Sequence, residues 1–243
     1  MRTPKRVVSL VPSPTEAVAV SAPGVLVGAI DWCTHPAGLG DVVRIGGTKN
    51  PDVRAIVELR PDLVVANEEE NRAPDLDALR AAGLEVLVTE VRDLPQALSE
   101  LERLLVGALG LERPGWLADA GAAWARLEPL PPALAFVPVW RRPWMVLGRD
   151  TFAGDLLARL GVRNAYASHA ERYPRIPAAE LAAAGCDLVV FPDEPYRFTA
   201  GDGPEAFPRI PAALVSGRHL TWYGPSLAEA PAVLSRALRE AGG

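Results

Sequence analysis

Short, continuously apolar stretches alternate along the chain with longer stretches in which apolar residues recur at helical spacing. Continuous apolar runs are typical of strands buried on both faces, which requires helices on both sides of a parallel sheet. The pattern therefore predicts an α/β fold. The predicted strands are residues 6–11, 25–30, 62–66, 85–89, 133–139, 187–191 and, with a less regular pattern, 218–222.

Capping residues mark where several helices should begin. Ser13, which precedes a proline and an acidic residue, predicts a helix that starts directly after it. Asp52 gives the same signal, and so does Asp150 or Thr151 further along. Gly161 is placed to end the helix that starts near residue 151.

The chain contains an internal repeat. Residues 56–69 align with residues 181–194 at an offset of 125, and both segments read as a helix, an aspartate, Leu-Val-Val and an acidic loop. The aspartates are Asp62 and Asp187. The repeat predicts two similar α/β halves.

The segment between the halves has a different pattern. Residues 93–109 place leucines and alanines on one helical stripe, and residues 116–127 read as a second helix. A further apolar helix is predicted at 226–241. We expect two Rossmann-like lobes joined by a long helical backbone, with an N-terminal lobe at 1–91, a helical connector at 92–130 and a C-terminal lobe at 131–243.

Composition and charge exclude several classes of protein. The 243 residues are 49% hydrophobic and 23% charged, with a net charge of −5, and the arginines are dispersed among acids rather than clustered. This argues against nucleic-acid binding. No apolar run is long enough to span a membrane. Since no apolar leader precedes the first strand, the sequence predicts a cytoplasmic protein, or an extracytoplasmic one if a leader has been removed.

Catalytic motifs are not found. The chain has no nucleophile elbow, no P-loop and no G-x-G-x-x-G after its first strand, so we expect no catalytic residues. Acidic residues after two of the repeated strands leave an alternative open, in which carboxylates bind a cation or transfer protons. These acids are Glu68, Glu69, Glu70, Asp193 and Glu194.

Aromatic residues concentrate in loops after predicted strands. Ring faces gathered at the carboxyl ends of strands favour a flat, apolar ligand. Neighbouring arginines have the chemistry to pair with carboxylates or phosphate on such a ligand, and His35 has the chemistry of an axial metal ligand. The rings are Trp32, Trp140, Trp144, Tyr173, Tyr196, Trp222 and Tyr223, and the arginines are Arg141, Arg142 and Arg149.

Four motifs together carry a resemblance to a known family. They are "RVVSLVPSPTEA" at the start, "DWCTHP" after the second strand, "IGGTKNPDVRAIVELRPDLVVA", and the second copy "PAAELAAAGCDLVVFPDEPYRF". With the helical connector, the chain resembles the helical-backbone (class III) substrate-binding proteins, which bind cobalamin, haem or ferric siderophores. The resemblance implies a non-catalytic protein that holds a metal chelate in an aromatic cleft between two lobes and needs no cofactor of its own.

The resemblance is nearest to the cobalamin-binding members of that family. Trp32 and Tyr173 match their ring-contacting positions, whereas Thr48 and Asn67 stand where those members carry tryptophans. A corrinoid is therefore the first expectation, with haem or a ferric siderophore as the alternative. The expected ligand contacts are Trp32, His35, Thr48, Asn67, Trp140, Trp144, Tyr173, Tyr196, Trp222 and Tyr223, and no resident metal site is expected.

The resemblance also implies a docking surface for an ABC permease. Family members present an acidic residue on each lobe, near the start of the helix that precedes the repeated strand. The matching positions here are Arg54 and Ala179, neither of which is acidic. The sequence thus argues against permease docking. A scaffold for another protein is the remaining class, and it predicts no small-molecule binding.

Overall fold

The computed structural model describes residues 3–241, which form two compact units. The first unit contains residues 3–91, Pro95–Ala118 and Tyr223–Pro225. The second contains Arg92–Leu94, Asp119–Trp222 and the residues from 226 onward. Of the segment predicted as a separate connector, residues 95–118 belong to the first unit, and residues 92–94 and 119–130 belong to the second.

The first unit is built on a parallel sheet with strand order β3-β2-β1-β6-β7. Strand β6 is buried along its whole length, so both faces of the sheet are covered. A short antiparallel hairpin, β4 with β5, lies outside this sheet. The strands are β1 (Val7–Ser9), β2 (Leu26–Ala29), β3 (Val43–Arg44), β4 (Gly46–Gly47), β5 (Asn50–Pro51), β6 (Leu63–Asn67) and β7 (Val86–Thr89).

Helices follow most strands of the first unit, and the two helices predicted at 93–109 and 116–127 are present. In the apolar stripe of the first of these helices, Leu101, Leu104, Leu105 and Leu109 are fully buried, whereas Leu98 is half-buried. The first connector helix continues into a π-helical segment, Arg103–Ala108. The helices are α1 (Pro12–Ser21), α2 (Val53–Glu58), α3 (Ala73–Ala81), α4 (Leu94–Glu102) and α5 (Gly115–Ala125), the last of which enters the second unit.

The second unit has a four-stranded parallel sheet with order β11-β8-β12-β13 and a separate antiparallel hairpin, β9 with β10. Its strands are β8 (Ala133–Phe136), β9 (Pro138–Arg141), β10 (Trp144–Val146), β11 (Val162–Asn164), β12 (Leu188–Pro192) and β13 (Ala212–Val215). Its helices are α6 (Phe152–Arg159), α7 (Ala178–Ala183), α8 (Gly217–Thr221) and α9 (Ala230–Ala241), with 3₁₀ turns at Pro204–Ala206 and Pro225–Ala228.

The internal repeat is confirmed by matching elements. Helix α7 and strand β12 have the same lengths as α2 and β6, and they begin 125 residues later. The repeated aspartate has one role in both units. The Asp62 carboxylate accepts from the backbone N–H groups of Lys5 and Arg6, and the Asp187 carboxylate accepts from that of Leu134, at 2.8 to 3.0 Å. Each aspartate thus ties the strand it precedes to the first strand of its unit.

The predicted helix boundaries are confirmed in part. The Asp52 side chain accepts from the N–H of Ala55 at 2.9 Å and caps α2, and Gly161 has φ 93° after α6. The expectation for Ser13 is wrong, because α1 starts at Pro12 and Ser13 is buried in its first turn. Thr151 directly precedes α6, but its side chain makes no capping bond.

One predicted strand is wrong. Residues 218–222 were expected to extend, but Gly217–Thr221 is helix α8 and the last strand is Ala212–Val215. The N–H of Gly217, the first residue of α8, donates to the Asp193 carboxylate at 2.6 Å, a contact that apolar content alone does not reveal. Within residues 3–241 no helix is long and apolar enough to span a bilayer.

Candidate functional site

Trp32 lies in the loop after β2, at the carboxyl end of the first unit's sheet, and 67% of its surface is exposed. The indole lies beside the β4–β5 hairpin, since a Cβ atom added at Gly47 would lie 3.7 Å from Trp32 Nε1. The glycine leaves that side of the ring uncovered. A tryptophan exposed to this extent is a candidate for contact with an apolar partner.

The loop that carries Trp32 is fixed from both sides. Cys33 is buried, and its thiol donates to Thr15 Oγ1 of α1 at 3.0 Å. The Arg44 guanidinium donates to the carbonyls of Ile30 and Cys33 at 2.8 and 3.1 Å. Sequence reasoning missed Arg44, because the strand that carries it, β3, was not among the predicted strands. These bonds hold the loop in one conformation, so the Trp32 ring is presented with little conformational freedom.

The Cys33 thiol should react much more slowly than the Cys186 thiol. Burial raises the pKa of Cys33 to about 11, whereas Cys186 is half-buried and its pKa is raised less. Because the thiolate is the reactive form, at pH 8 we expect iodoacetamide to label Cys186 first, and Cys33 only above pH 10 or after unfolding. Mass spectrometry of timed digests measures both rates. Equal labelling at pH 8 would contradict the anchoring of this loop.

His35 and Thr48 lie in loops of the same unit as Trp32. His35 is half-buried, with Nδ1 at 3.0 Å from Thr34 Oγ1. Thr48 is in the turn of the β4–β5 hairpin, and its carbonyl accepts from Asn71 Nδ2 at 3.0 Å. Both residues thus have partly exposed side chains near the carboxyl edge of the first sheet.

Asn67 and Tyr223 are brought together inside the first unit. Asn67 is only 4% exposed, and its Nδ2 donates to the Tyr223 hydroxyl and to the Thr89 carbonyl, both at 3.1 Å. Its Oδ1 accepts from the N–H of Glu69 at 3.0 Å. Burial raises the pKa of Tyr223 far above its ordinary value. The two residues expected to contact ligand instead bond to each other.

The carboxylates of Glu70 and Asp193 each lie near a partner from the chain. The Lys49 ammonium donates to the Glu69 carbonyl at 2.6 Å, and burial raises the pKa of Glu70 while Lys49 opposes the rise. In the second unit, Asp193 accepts from the Gly217 N–H. Within residues 3–241 no group of three or more His, Cys, Asp and Glu side chains is arranged to hold a metal ion.

Trp140 is the exposed ring of the second unit, with 44% of its surface accessible. It contacts Tyr196 edge to face, with ring centroids 5.4 Å apart and an interplanar angle of 80°. Tyr196 in turn contacts Phe198 at 4.6 Å. Strand β9 supplies the tryptophan and the loop after β12 supplies the tyrosine, so the pair joins two segments distant in sequence.

Trp144 and Trp222 are packing residues. The Trp144 ring is parallel to that of Phe198, with centroids 6.1 Å apart, and packs on Phe207 at 5.2 Å. It thereby extends the aromatic core of the second unit. Trp222 is buried directly after α8. Their positions after predicted strands therefore did not distinguish surface rings from core rings.

Tyr173 is held by backbone bonds on both sides. The carbonyl of Arg172 accepts from the N–H of Gly148 at 2.7 Å, and the carbonyl of Pro174 accepts from that of Val146 at 3.1 Å. The tyrosine itself is half-buried. The loop that carries Tyr173 thus lies beside the end of β10 and is hydrogen-bonded to it.

The three arginines near Trp140 and Trp144 differ in the partners of their guanidinium groups. Arg141 pairs with Asp202 and Glu205, and Arg149 donates to the Ala170 carbonyl at 2.8 Å. Arg142 is exposed, and within residues 3–241 it forms no ion pair. Of the three, Arg142 alone has no ion pair or hydrogen bond from its guanidinium to another residue within 3–241.

Comparison with known proteins gives a consistent result. No protein-family model matches the chain. The vitamin B12-binding protein of Photorhabdus laumondii is 23% identical over 196 residues, which cover 77% of this chain and 70% of that protein. This sequence similarity agrees with the resemblance noted from the motifs.

Solved structures show the same fold. The periplasmic vitamin B12-binding protein BtuF of Vibrio cholerae superposes with a TM-score of 0.78 at 17% identity, covering 98% of both chains. A periplasmic heme-binding protein from Pseudomonas aeruginosa gives a TM-score of 0.74 at 25% identity, covering 96% of this chain and 92% of that one. The predicted fold of two α/β lobes with mainly parallel sheets is confirmed.

Proposed function

Since the chain resembles the helical-backbone solute-binding proteins in sequence and in fold, we propose that it is a non-catalytic binding protein for a planar metal chelate. The relatives are named as binding proteins for vitamin B12 or heme. The observation that carries the proposal is the exposure of one tryptophan on each unit, Trp32 and Trp140, both in segments that follow a parallel strand.

The exposed aromatic rings are suited to bind the flat, apolar face of a ligand. Trp32 and the Trp140–Tyr196 pair offer apolar ring surfaces held in place by the surrounding structure. Flat macrocycles bury large apolar faces against such rings. We infer that each unit offers ring contacts of this kind, Trp32 on the first unit and Trp140 with Tyr196 on the second, and that His35, Thr48 and Tyr173 contribute from partly exposed positions.

The predicted contact residues that are buried have an indirect role in ligand binding. Asn67, Trp222, Tyr223 and most of Trp144 are covered by the chain itself. We propose that they shape the loops that carry the contact residues. A corrinoid is the first ligand to test and haem the second, because relatives with this fold are named for each. A ferric siderophore is the third.

Permease docking through paired acids has little support from the side chains at the relevant positions. Arg54 and Ala179 are the second residues of α2 and α7. On the exposed surface, Arg54 forms an ion pair with Glu58 at 2.9 Å. The carboxylate of Glu58 is therefore already paired with a cation of the chain. We propose that any transport role uses other contacts. The solved relatives are described as periplasmic, which favours the extracytoplasmic alternative for this chain.

The first experiment is a titration of tryptophan fluorescence. Cobalamin, cobinamide, haem and a ferric siderophore are added separately, and absorbance spectra are recorded in parallel. Saturable quenching at one-to-one stoichiometry by at least one chelate is the expected result. A shifted Soret or corrin band would show ligation of the metal by a side chain such as His35. Absence of saturation with all four would refute the proposal.

Replacing Trp32 with alanine should weaken binding of the best chelate about thirtyfold, because about 2 kcal/mol of ring burial is lost. Val20→Ala is the matched control, since Val20 is an exposed apolar residue of the same unit on α1. Isothermal titration calorimetry measures both. If both variants bound like the unmodified protein, Trp32 would not contact the ligand.

A further inference from the structure

Arg141 connects two segments of the second unit. It ends strand β9, and its guanidinium pairs with both Asp202 and Glu205 from the loop after β12. The same guanidinium lies 5.5 Å from the centre of the Trp144 ring. Only 14% of the Arg141 side chain is exposed. A largely buried arginine with two carboxylate partners and a ring contact is a fixed element of the structure.

The carboxylates that bind Arg141 also order their own loop. Asp202 Oδ2 accepts from the Tyr196 hydroxyl at 2.7 Å, and Glu205 Oε2 accepts from the Gly203 N–H at 2.6 Å. Asp202 therefore joins Arg141 to Tyr196. Tyr196 in turn packs against Trp140, which directly precedes Arg141 in the chain. The bonds close a ring of contacts that starts and ends on β9.

This arrangement decides between two roles for Arg141. An arginine beside an aromatic surface has the chemistry to bind a ligand carboxylate. Here two carboxylates of the chain already pair with its guanidinium. Releasing it for a ligand would leave Asp202 and Glu205 without their cation, which costs the energy of both contacts. The same pairs instead hold the Tyr196 ring.

We propose that Arg141 is a positioning residue, which acts through Asp202 to hold Tyr196 and Trp140 in the orientation that contacts the ligand. The inference rests on the proposed function and deepens it. On this proposal, the two rings contact the uncharged face of the chelate. Arg141 itself does not bind carboxylates of the ligand. Ligand affinity at this surface then depends on ring orientation.

The ligand-free protein gives the first test. The variants are Arg141→Met, Arg141→Lys and the control Arg142→Met, the last at a neighbouring exposed arginine that forms no ion pair within residues 3–241. The protein carries 5-fluorotryptophan, and ¹⁹F NMR resonances are assigned with Trp140→Phe. In Arg141→Met we expect the Trp140 resonance to shift or broaden, whereas Trp32 stays unchanged. Arg141→Lys should restore the signal in part, and Arg142→Met should not alter it.

A ligand comparison separates positioning from charge recognition. Binding of haem and of haem dimethyl ester is measured for the unmodified protein, Arg141→Met and Arg141→Lys. We expect Arg141→Met to weaken both ligands equally, about fivefold to tenfold, the range typical of a lost aromatic contact. A loss confined to haem would mean that Arg141 binds ligand carboxylates, and it would overturn the proposal.

Two further results complete the test. Adding Tyr196→Phe to Arg141→Met should cause no additional loss, because both changes break the same chain of contacts. Fully additive losses would overturn the proposal. If the unmodified protein bound none of the four chelates in the fluorescence titration, the proposed function would fail, while an unchanged Trp140 resonance in Arg141→Met would independently refute the positioning role.

Discussion

Replacing Gly148 with alanine is expected to lower the free energy of unfolding by about 3 kcal/mol, at the upper end of the cost of overpacking a closed site. A Cβ atom there would lie 2.1 Å from the Glu171 carbonyl oxygen and 3.2 Å from that of Arg172. Both atoms belong to the backbone, so no side-chain rotation relieves the clash. Urea denaturation followed by circular dichroism measures the loss.

The same substitution should also disturb the loop that carries Tyr173, because that loop bonds directly to Gly148. Gly201→Ala is the matched control: it lies in the same unit, its Cβ would meet no atom within 4 Å, and a change within about 0.5 kcal/mol is expected. Equal stability of the two variants would show that the Tyr173 loop does not lie against β10 as described.

Replacing Asn67 with alanine should lower the free energy of unfolding by about 3 kcal/mol, since it removes the centre of a buried polar network. The change leaves the buried Thr89 carbonyl and the Glu69 N–H without the bonds that Asn67 makes to them. Tyr223→Phe removes a single hydroxyl from the same network, so a smaller loss of about 1 kcal/mol is expected. Urea denaturation of both variants provides the measurement.

Asn50→Ala serves as the control for this pair, because Asn50 is an exposed asparagine of the same unit. We expect its stability to match that of the unmodified protein. The opposite pattern for Asn67→Ala, unchanged stability with a large loss of chelate binding, would restore the sequence-based assignment of Asn67 as a ligand contact.

The fold was predictable wherever a local pattern was sufficient. The repeat at an offset of 125 predicted two similar halves, and α7 and β12 reproduce α2 and β6 at that spacing. The strand expected at 218–222 is wrong: Leu220 is buried within α8 and Trp222 directly after it, and a short segment with buried apolar residues is compatible with either element. The first residue of α8 bonds to the Asp193 carboxylate, 24 residues away, which no local pattern indicates.

The candidate site was predictable only at the level of its loops. Aromatic residues after predicted strands indicated which loops to inspect, and Trp32 and Trp140 are exposed in two of those segments. Trp222 and Tyr223 carry the same signal and are buried. A residue type and its position after a strand are the same for a core ring and a surface ring, so only the packed structure distinguishes them.

The sequence by itself determined the α/β class, the repeated halves and the helical segment between them, because these follow from the spacing of apolar residues along the chain. The tertiary structure decided which polar side chains are bonded to other residues of the chain and which remain able to contact a ligand. Arg141 is paired with Asp202 and Glu205, and Asn67 is bonded to Tyr223, through contacts between residues 61 to 156 positions apart. Such pairings depend on distances in space, which no local pattern specifies.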